Sequence, residues 1–230
     1  MTTADRPGDL PRPARPLRRD AQRNRDAILA AAGEVFPEQG LEAPLEEIAR
    51  RAGVGIATLY RRFPTRTELL DAVLAPAVQE HVDAAEQALA MDDPWEGFAF
   101  YLERSCRLQA SDRGLNDIMS MRLPRATAVE AAKRRLYRLT EEVVARAQRS
   151  GRLRADVTPE DLVFLHWANT RVLQATRAAG APHAWRRHLG LLLDGFRADR
   201  AHRLPEPPLS PRQVYRAMLT LGASCTRGAE

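Results

Sequence analysis

Apolar residues along the chain recur at the spacing of three to four residues that marks one face of a helix. The first such run starts near Arg18 and ends at Gly40, and its apolar positions are Ile28, Leu29, Ala32, Val35 and Phe36. No segment shows the alternation expected of a strand, and no internal repeat is visible. The sequence therefore predicts an all-α fold.

Two short helices are predicted next. The second helix fits Pro44 at its first position, followed by two glutamates favoured by the helix dipole, and Gly53 fits its end. A third helix of about residues 56–63 must stop before Pro64, because proline disfavours α geometry in the residue that precedes it. Two such helices joined by a glycine-containing turn, after a longer supporting helix, form a compact helix-turn-helix.

Further helix starts are legible downstream. Thr65 and Glu68 form a capping box that opens a fourth helix, which Pro76 should bend or break. Later starts fall at Asp93 and Thr158, a long helix ends at residues 150–151, and the last large helix follows Pro182. We predict four segments: a flexible basic arm over 1–17, a helix-turn-helix domain over 18–66, a helical regulatory and dimerisation domain over 67–203, and a proline-rich tail over 204–230 with a possible short helix.

Charge changes this picture at one place. The chain has 35 Lys and Arg against 30 Asp and Glu, a formal net charge of +5, which fits nucleic acid or an acidic surface but also a general bias toward arginine. Within residues 11–25, however, six arginines accompany a single aspartate, directly before the helix-turn-helix. We expect this arm to contact phosphates or the minor groove, with a solvated tail as the alternative.

Catalytic and membrane functions find no support in the sequence. The five histidines form no HExxH pattern, and no GxSxG, P-loop or GxGxxG motif is present. The two cysteines are far apart and fit neither a metal site nor a secreted disulfide framework. No apolar run approaches the roughly 18 residues of a membrane helix, and the basic N-terminus lacks the apolar region of a signal peptide. We predict a cytoplasmic, non-enzymatic protein without cofactor or metal.

The third helix carries the candidate chemistry. Its spacing places Val54, Leu59 and Phe63 toward the core, so that the hydroxyls and arginines between them face outward, where they can bond phosphates or base edges. Arg66 stands in the first turn of the next helix, unfavourably for the dipole but well placed for a bound phosphate. A solvated connector is the alternative interpretation.

The stretch IARRAGVGIATLYRRFPTRTELL, residues 48–70, resembles the DNA-binding segment of the TetR family of bacterial transcriptional regulators. The resemblance covers about residues 20–75, and AQRSGRLRADVTPEDL and WRRHLGLLLDGFR are more weakly similar to the ligand and dimer region of that family. It implies DNA contacts above all by Thr58, Tyr60, Arg62 and Arg66. The full set of candidate DNA-binding residues is Arg18, Arg19, Gly55, Ala57, Thr58, Tyr60, Arg61, Arg62, Thr65 and Arg66.

Two departures from the family pattern stand out. Ala43 replaces the hydroxyl residue that usually caps the second helix, which should cost about 1 kcal/mol. Gly55 replaces a frequent serine at the start of the third helix, which removes a side-chain phosphate contact. Arg62 and Arg66 stand where the family often has histidine and lysine, and both keep a phosphate-binding donor.

The remaining helices are expected to dimerise and to bind an effector. The last two large helices, about 159–178 and 183–200, are apolar enough to predict a two-fold dimer on a palindromic operator, with a monomer core as the alternative. A small, largely hydrophobic effector would occupy a cavity and spread the two DNA-binding domains through the fourth helix. The residues predicted to line this cavity are Trp95, Phe98, Tyr101, Leu102, Cys106, Met119, Met121, His166, Trp167 and Thr170. The alternative is that they are ordinary core residues. The prediction is a ligand-responsive repressor, and the competing class is an all-α interaction module without specific DNA binding.

Overall fold

The computed structural model describes residues 15–111, 119 and 126–226, and these form nine α-helices and one short 3-10 helix at Ala198–Arg200. The α-helices are α1 (Arg15–Gln39), α2 (Leu45–Arg51), α3 (Ile56–Arg62), α4 (Arg66–Ala90), α5 (Pro94–Ser111), α6 (Thr127–Arg149), α7 (Pro159–Ala178), α8 (Ala184–Phe196) and α9 (Pro211–Thr226). Within the described ranges the only extended pairing is an isolated bridge between Leu153 and Arg197. The all-α prediction is confirmed. Residues 1–14 of the expected arm and Met121 lie outside the described residues, and α1 begins at Arg15, slightly before the expected boundary.

The helices α1 to α3 pack around a first core, which the first turns of α4 also enter. Ile28, Phe36, Ile48 and Leu59 have no exposed surface, because the apolar faces of the three helices meet there. The turn between α2 and α3 contains Gly53 in the left-handed region, at φ 66°, which an L side chain adopts only with strain. We call residues 15–65 the head.

The start of α2 differs from the expectation. Pro44 precedes the helix as its N-cap residue, with ψ near 132°, and Leu45 is the first helical residue. No side chain caps this end, in keeping with alanine at position 43. Glu47 in the first turn instead accepts hydrogen bonds from Arg50 and Arg51 on the same short helix, which lower the pKa of its carboxyl to about 2.

Helix α4 connects the head to the rest of the molecule. Its N-terminus has the predicted cap, since Thr65 Oγ1 accepts from the backbone N–H of Glu68 at 3.2 Å. The helix continues from Arg66 to Ala90, so Pro76 does not break it. Its first turns bury Leu69, Leu70 and Leu74 in the core of the head, and its last turns bury Val82, Ala85 and Ala88 in a second core.

The second core lies among α4 to α8, which we call the body (residues 67–200). Gly97 of α5 lies so close to α4 that a Cβ atom there would be 2.4 Å from the carbonyl oxygen of Ala88. Arg146 of α6 closes the other side, donating to the Leu89 carbonyl at 2.8 Å and to the Met91 carbonyl at 2.5 Å. These contacts fix α5 and α6 against the C-terminal end of α4, where that helix leaves its last carbonyls without helical partners.

Candidate nucleic-acid interface and effector cavity

The third helix divides into a buried and an exposed side. Leu59 is fully buried and Phe63 is 4% exposed, so these two residues attach α3 to α1 and α4. Tyr60 is 46% exposed, and Ala57 and Arg61 are also on the surface. Arg61 Nη2 donates to Thr58 Oγ1 at 3.2 Å, which keeps a hydroxyl and a guanidinium together on the outer side. The seven-residue helix therefore presents a polar face to solvent from an apolar base.

Arg62 is more enclosed than the sequence suggests. It is half-buried, and its Nε is a buried donor without a hydrogen-bond partner among the residues that the structure describes. It lines a cleft that also contains Arg25 and Glu68, and the guanidinium of Arg25 lies 5.3 Å from the centre of the Phe63 ring. Arg62 thus stands between α3 and α4 with donors left to satisfy.

Arg66 has a different environment from the one expected. Its Nη1 donates to the carbonyl oxygens of Leu41 and Ala43, both at 2.8 Å. These carbonyls belong to the turn between α1 and α2, and a charged donor that satisfies two of them stabilises the entry to α2. The sequence indicated an arginine near a helix start, but only the fold brings it against this turn.

The other predicted DNA contacts that the structure describes are exposed. Gly55 is exposed and precedes α3 in an ordinary extended conformation, with open space around its Cα. Thr65 is exposed, but its hydroxyl is already engaged with Glu68. Arg19 is exposed on α1, whereas the side chain of Arg18 lies outside what the structure describes.

The body contains a cavity of about 340 Å³ between α4, α5, α6 and α7. Of the predicted lining, Tyr101, Met119 and His166 contribute to its wall. Trp95, Phe98, Leu102 and Cys106 are buried in the second core instead, and Trp167 and Thr170 do not line the cavity. The aromatic residues pack against one another there, with Phe98 between Trp95 and Phe196 at centroid distances of 5.8 and 6.1 Å.

Sequence reasoning missed most of the cavity wall. Lining residues that were not predicted are His81, Gln109, Lys133, Arg134, Leu136, Tyr137, Arg138, Thr140, Pro159, Leu162, Val163 and Met218. Half of them lie on α6, whose apolar stripe looks like an ordinary core face in the sequence. Met218 comes from α9, within the segment expected to be a tail, so this helix completes the wall.

Two histidines in the wall are held in the neutral form. Burial lowers the pKa of His81 to about 3, and burial likewise lowers the pKa of His166 to about 4. The Nδ1 of His166 lies 2.6 Å from the carbonyl of Leu162, which can only accept, so Nδ1 carries the proton. Beside them, the hydroxyls of Tyr101 and Thr140 bond one another at 2.8 Å. These histidine and hydroxyl groups thus offer the cavity uncharged hydrogen-bonding partners at neutral pH, beside Lys133, whose ammonium lies 3.8 Å from the carboxylate of Glu130.

One carboxylate joins α6, which lines the cavity, to the part of α4 that lies next to the head. Asp71 on α4 accepts from the backbone N–H of Val129 at 2.8 Å and of Ala128 at 3.1 Å, and therefore caps the start of α6. Asp71 lies little more than one turn after Arg66, which holds the turn before α2. The helix that lines the cavity is in this way bonded to the helix that positions the head.

The described residues contain neither a metal-binding cluster nor a helix that could span a membrane. Within residues 15–111, 119 and 126–226, no group of three or more His, Cys, Asp or Glu residues is arranged to hold a metal ion. None of the helices described has the length and apolar character needed to cross a membrane.

Comparisons with known proteins agree with this geometry. Residues 28–73 match the family model for bacterial regulatory proteins of the tetR family, and residues 93–198 match the model for the C-terminal domain of SbtR-like transcriptional regulators. The chain is 36% identical to the TetR transcription regulatory protein from Mycobacterium vanbaalenii, with 79% of this chain and 99% of that chain covered and a TM-score of 0.46. It shares the fold of the regulator FadR from Bacillus subtilis, solved in complex with stearoyl-CoA, at 16% identity, 74% and 97% coverage and a TM-score of 0.58.

Among curated proteins, the chain is 42% identical over 92 residues to the HTH-type transcriptional activator FasR of Mycolicibacterium smegmatis. That match covers 38% of this chain and 42% of the relative. The chain thus spans about two fifths of the length of this curated relative, so the relative's whole activity does not transfer with the match.

Proposed function

The chain belongs to the TetR family of DNA-binding transcriptional regulators, and on that premise we propose that it is a homodimeric repressor released from its operator by a small, largely apolar effector. The observation that carries this proposal is α3, a short helix with a buried base and an exposed polar face, in the part of the chain that matches the tetR model. The proposed division is a DNA-binding domain over 18–66, a regulatory domain over 67–203 and a tail over 204–230. A regulator of this kind would act on DNA in the cytoplasm.

We expect α3 to enter the major groove with Tyr60 and Arg61 foremost, because these side chains are the most accessible of its polar residues. Arg62, which has an unsatisfied Nε, would reach a phosphate beside the groove. Arg66 takes a different role from the phosphate clamp that the sequence implied. Since its Nη1 is engaged by two backbone carbonyls, it would position the turn before α2, leaving its remaining donors for DNA.

The proposed dimer uses α7 and α8. Phe164 and Trp167 on α7 are half-buried and stack edge to face at 5.4 Å, and Leu191 on α8 is 61% exposed. Leu189 on the same helix is buried within the chain, so Leu191 is the side chain that would anchor the partner. A partner subunit would cover this apolar surface, and two-fold symmetry would then require a palindromic operator.

Release by an effector would pass through α4 and α6. An occupied cavity displaces the wall formed by α6, and Asp71 transmits that displacement to α4, close to Arg66 and the head. The effector changes DNA affinity only by as much as it prefers the spread state over the DNA-bound state. Activation remains the specific rival to repression, because the related FasR bears the name of an activator.

The test is footprinting on the DNA upstream of the gene that encodes this chain, followed by anisotropy titrations of the protected duplex at several salt concentrations. Specific binding should protect two half-sites and weaken steeply with salt, because phosphate contacts release counterions. Sedimentation of the same sample should give a dimer. A monomer with weak, uniform affinity for all duplexes contradicts the proposal, and a reporter fused to the protected promoter separates repression from activation.

A further inference from the structure

Two arginines stand at the opening of the cavity. Arg134 and Arg138 lie four residues apart on α6 and thus on the same side of that helix, and both line the cavity while remaining exposed. Across the described part of the chain, neither forms an ion pair. Like charges at this spacing repel one another, so an anion bound between them would remove an unfavourable interaction as well as add a favourable one.

One acidic residue near the opening, Glu160, is hydrogen-bonded within the chain. The carboxylate of Glu160 accepts a hydrogen bond from Tyr137 at 2.8 Å. Deeper in the wall, Lys133 lies 3.8 Å from Glu130, and both are almost fully buried. Among the described residues that line the cavity there is no carboxylate, and the exposed charged residues are Arg134 and Arg138.

The interior has the opposite character. Leu136, Leu162 and Val163 supply apolar surface, and Met218 of α9 adds a flexible side chain that can adapt to a ligand. Among the polar groups of the wall, His81 and His166 are neutral at physiological pH. Because Lys133 already lies beside Glu130, a further charged group taken into this space would lose its hydration and would have to compete for that lysine, which is unfavourable.

We propose that the effector is an amphipathic anion: an apolar chain or ring system that fills the cavity and ends in a carboxylate or phosphate group held at the opening by Arg134 and Arg138. The two guanidinium groups can donate paired, charge-assisted hydrogen bonds to such a group. A cavity of about 340 Å³ suits a compact apolar part, since ligand cavities start near roughly 300 Å³. The term effector rests on the proposed regulatory function, whereas the binding chemistry does not.

Calorimetric titration of the full chain with four probes of equal chain length tests the proposal: decanoate, decyl phosphate, decanol and decylamine. We expect both anions to bind about ten- to a hundredfold more tightly than the alcohol, and the amine to bind most weakly. Whichever anion binds more tightly identifies the head group. The advantage of the anions should shrink as salt is added, because exposed charges are screened, while decanol binding should change little.

Variants locate the effect. In R134A/R138A the affinity for the preferred anion should fall to that for decanol, and the affinity for decanol should stay the same. The matched control is R135A, which removes an arginine from the same helix that pairs with Glu86 and does not line the cavity; it should leave both affinities unchanged. Three outcomes would each overturn the proposal. The anion and the alcohol could bind with equal affinity, none of the four probes could bind, or R134A/R138A could leave the affinity for the anion unaltered.

Operator titrations in the same samples separate this inference from the proposed function. If decanoate or decyl phosphate binds as expected but leaves DNA affinity unchanged, the ligand class stands and the regulatory coupling is wrong. If no DNA binding is found at all, the proposed function fails while calorimetry still decides the ligand class.

Discussion

In the head, α3 buries Leu59, is followed by the buried Phe63, and turns polar side chains to solvent, whereas in the body α6 turns polar side chains such as Lys133 and Thr140 toward an internal cavity. The candidate DNA surface is one contiguous stretch of about two turns. The cavity wall is assembled from five helices that are far apart in sequence. Substitutions on the exposed face of α3 should therefore leave the free energy of unfolding unchanged, whereas substitutions in the cavity wall should affect both folding and ligand binding.

The largest expected effect is a loss of folding stability in acid, caused by two histidines in the cavity wall. His81 and His166 protonate in the unfolded chain below about pH 6.5, but in the folded chain only near pH 3 and pH 4. Their folded pKa values are depressed, so they leave stability unchanged at neutral pH and lower it as pH falls from about 6.5 toward 4, by about 1.4 kcal/mol per pH unit for each histidine at most. Denaturant unfolding between pH 7 and pH 4 measures the loss.

H81L and H166L should each flatten this slope by about one proton, and H183N, which removes a surface histidine at the start of α8, is the matched control. A slope that stays the same in both variants would show that the two buried histidines do not cause the acid sensitivity.

Truncation in the core of the body comes next in size. Phe98 was predicted to contact the effector, but it is fully buried between two aromatic rings away from the cavity. We expect F98A to lower the free energy of unfolding by about 3–5 kcal/mol, because it leaves a cavity in a packed core. Ligand affinity of the protein that remains folded should be unchanged. F100A, at a half-buried position of the same helix, should cost clearly less; a loss of ligand affinity in F98A at full stability would restore the original assignment.

Arg66 is an exception to the rule that the candidate DNA contacts do not affect the fold. It was predicted to bind DNA, but its guanidinium also holds the turn before α2. R66A should cost about 1.5–3 kcal/mol in unfolding free energy, since two backbone carbonyls lose a charged donor. R61A, which removes an exposed arginine bonded only to Thr58, is the control and should leave stability nearly unchanged. Thermal melts decide between the two roles: an unaltered melt for R66A, with weakened binding to every duplex, would indicate a phosphate clamp.

A substitution on the exposed face of α3 should weaken DNA binding without changing the stability of the fold. Y60A should weaken operator binding by about 1–3 kcal/mol without a change in unfolding free energy, because the side chain is 46% exposed and makes few internal contacts. Y60F separates the hydroxyl from the ring. Should Y60A bind the operator as tightly as the parent chain, α3 would not be docked by this face.

The smallest effect on stability should come from the link between the two regions. D71A removes the cap of α6 and should cost about 0.5–2 kcal/mol. Its characteristic outcome is weaker coupling, measured as a smaller change of operator affinity when ligand is added. D83A, at an exposed position on the same helix, serves as the control. Full coupling in D71A would remove Asp71 from the proposed route.

Local sequence patterns were enough to predict the helices and the segment that resembles the DNA-binding part of the TetR family. Helix starts at Thr65, Asp93 and Thr158 were legible because a cap is a local arrangement of a few consecutive residues, and the cap geometry is present at each. The exposed face of α3 followed from periodicity for the same reason. These features depend on neighbours within one or two turns, which the sequence displays directly.

Contacts between residues far apart in the chain could not be predicted in this way, because they depend on how the helices pack. The sequence shows that Phe98 and His166 are suited to a wall or a core, but which of the two applies depends on how the helices around them cross. Arg66 bonds to the turn before α2 across 23 residues, and Asp71 caps α6 across 58 residues. Met218, from the segment expected to be a tail, reaches the cavity wall that other helices form. Their partners are set by helix packing, because the hydrophobic effect that drives it is non-directional and leaves no local signature in the chain.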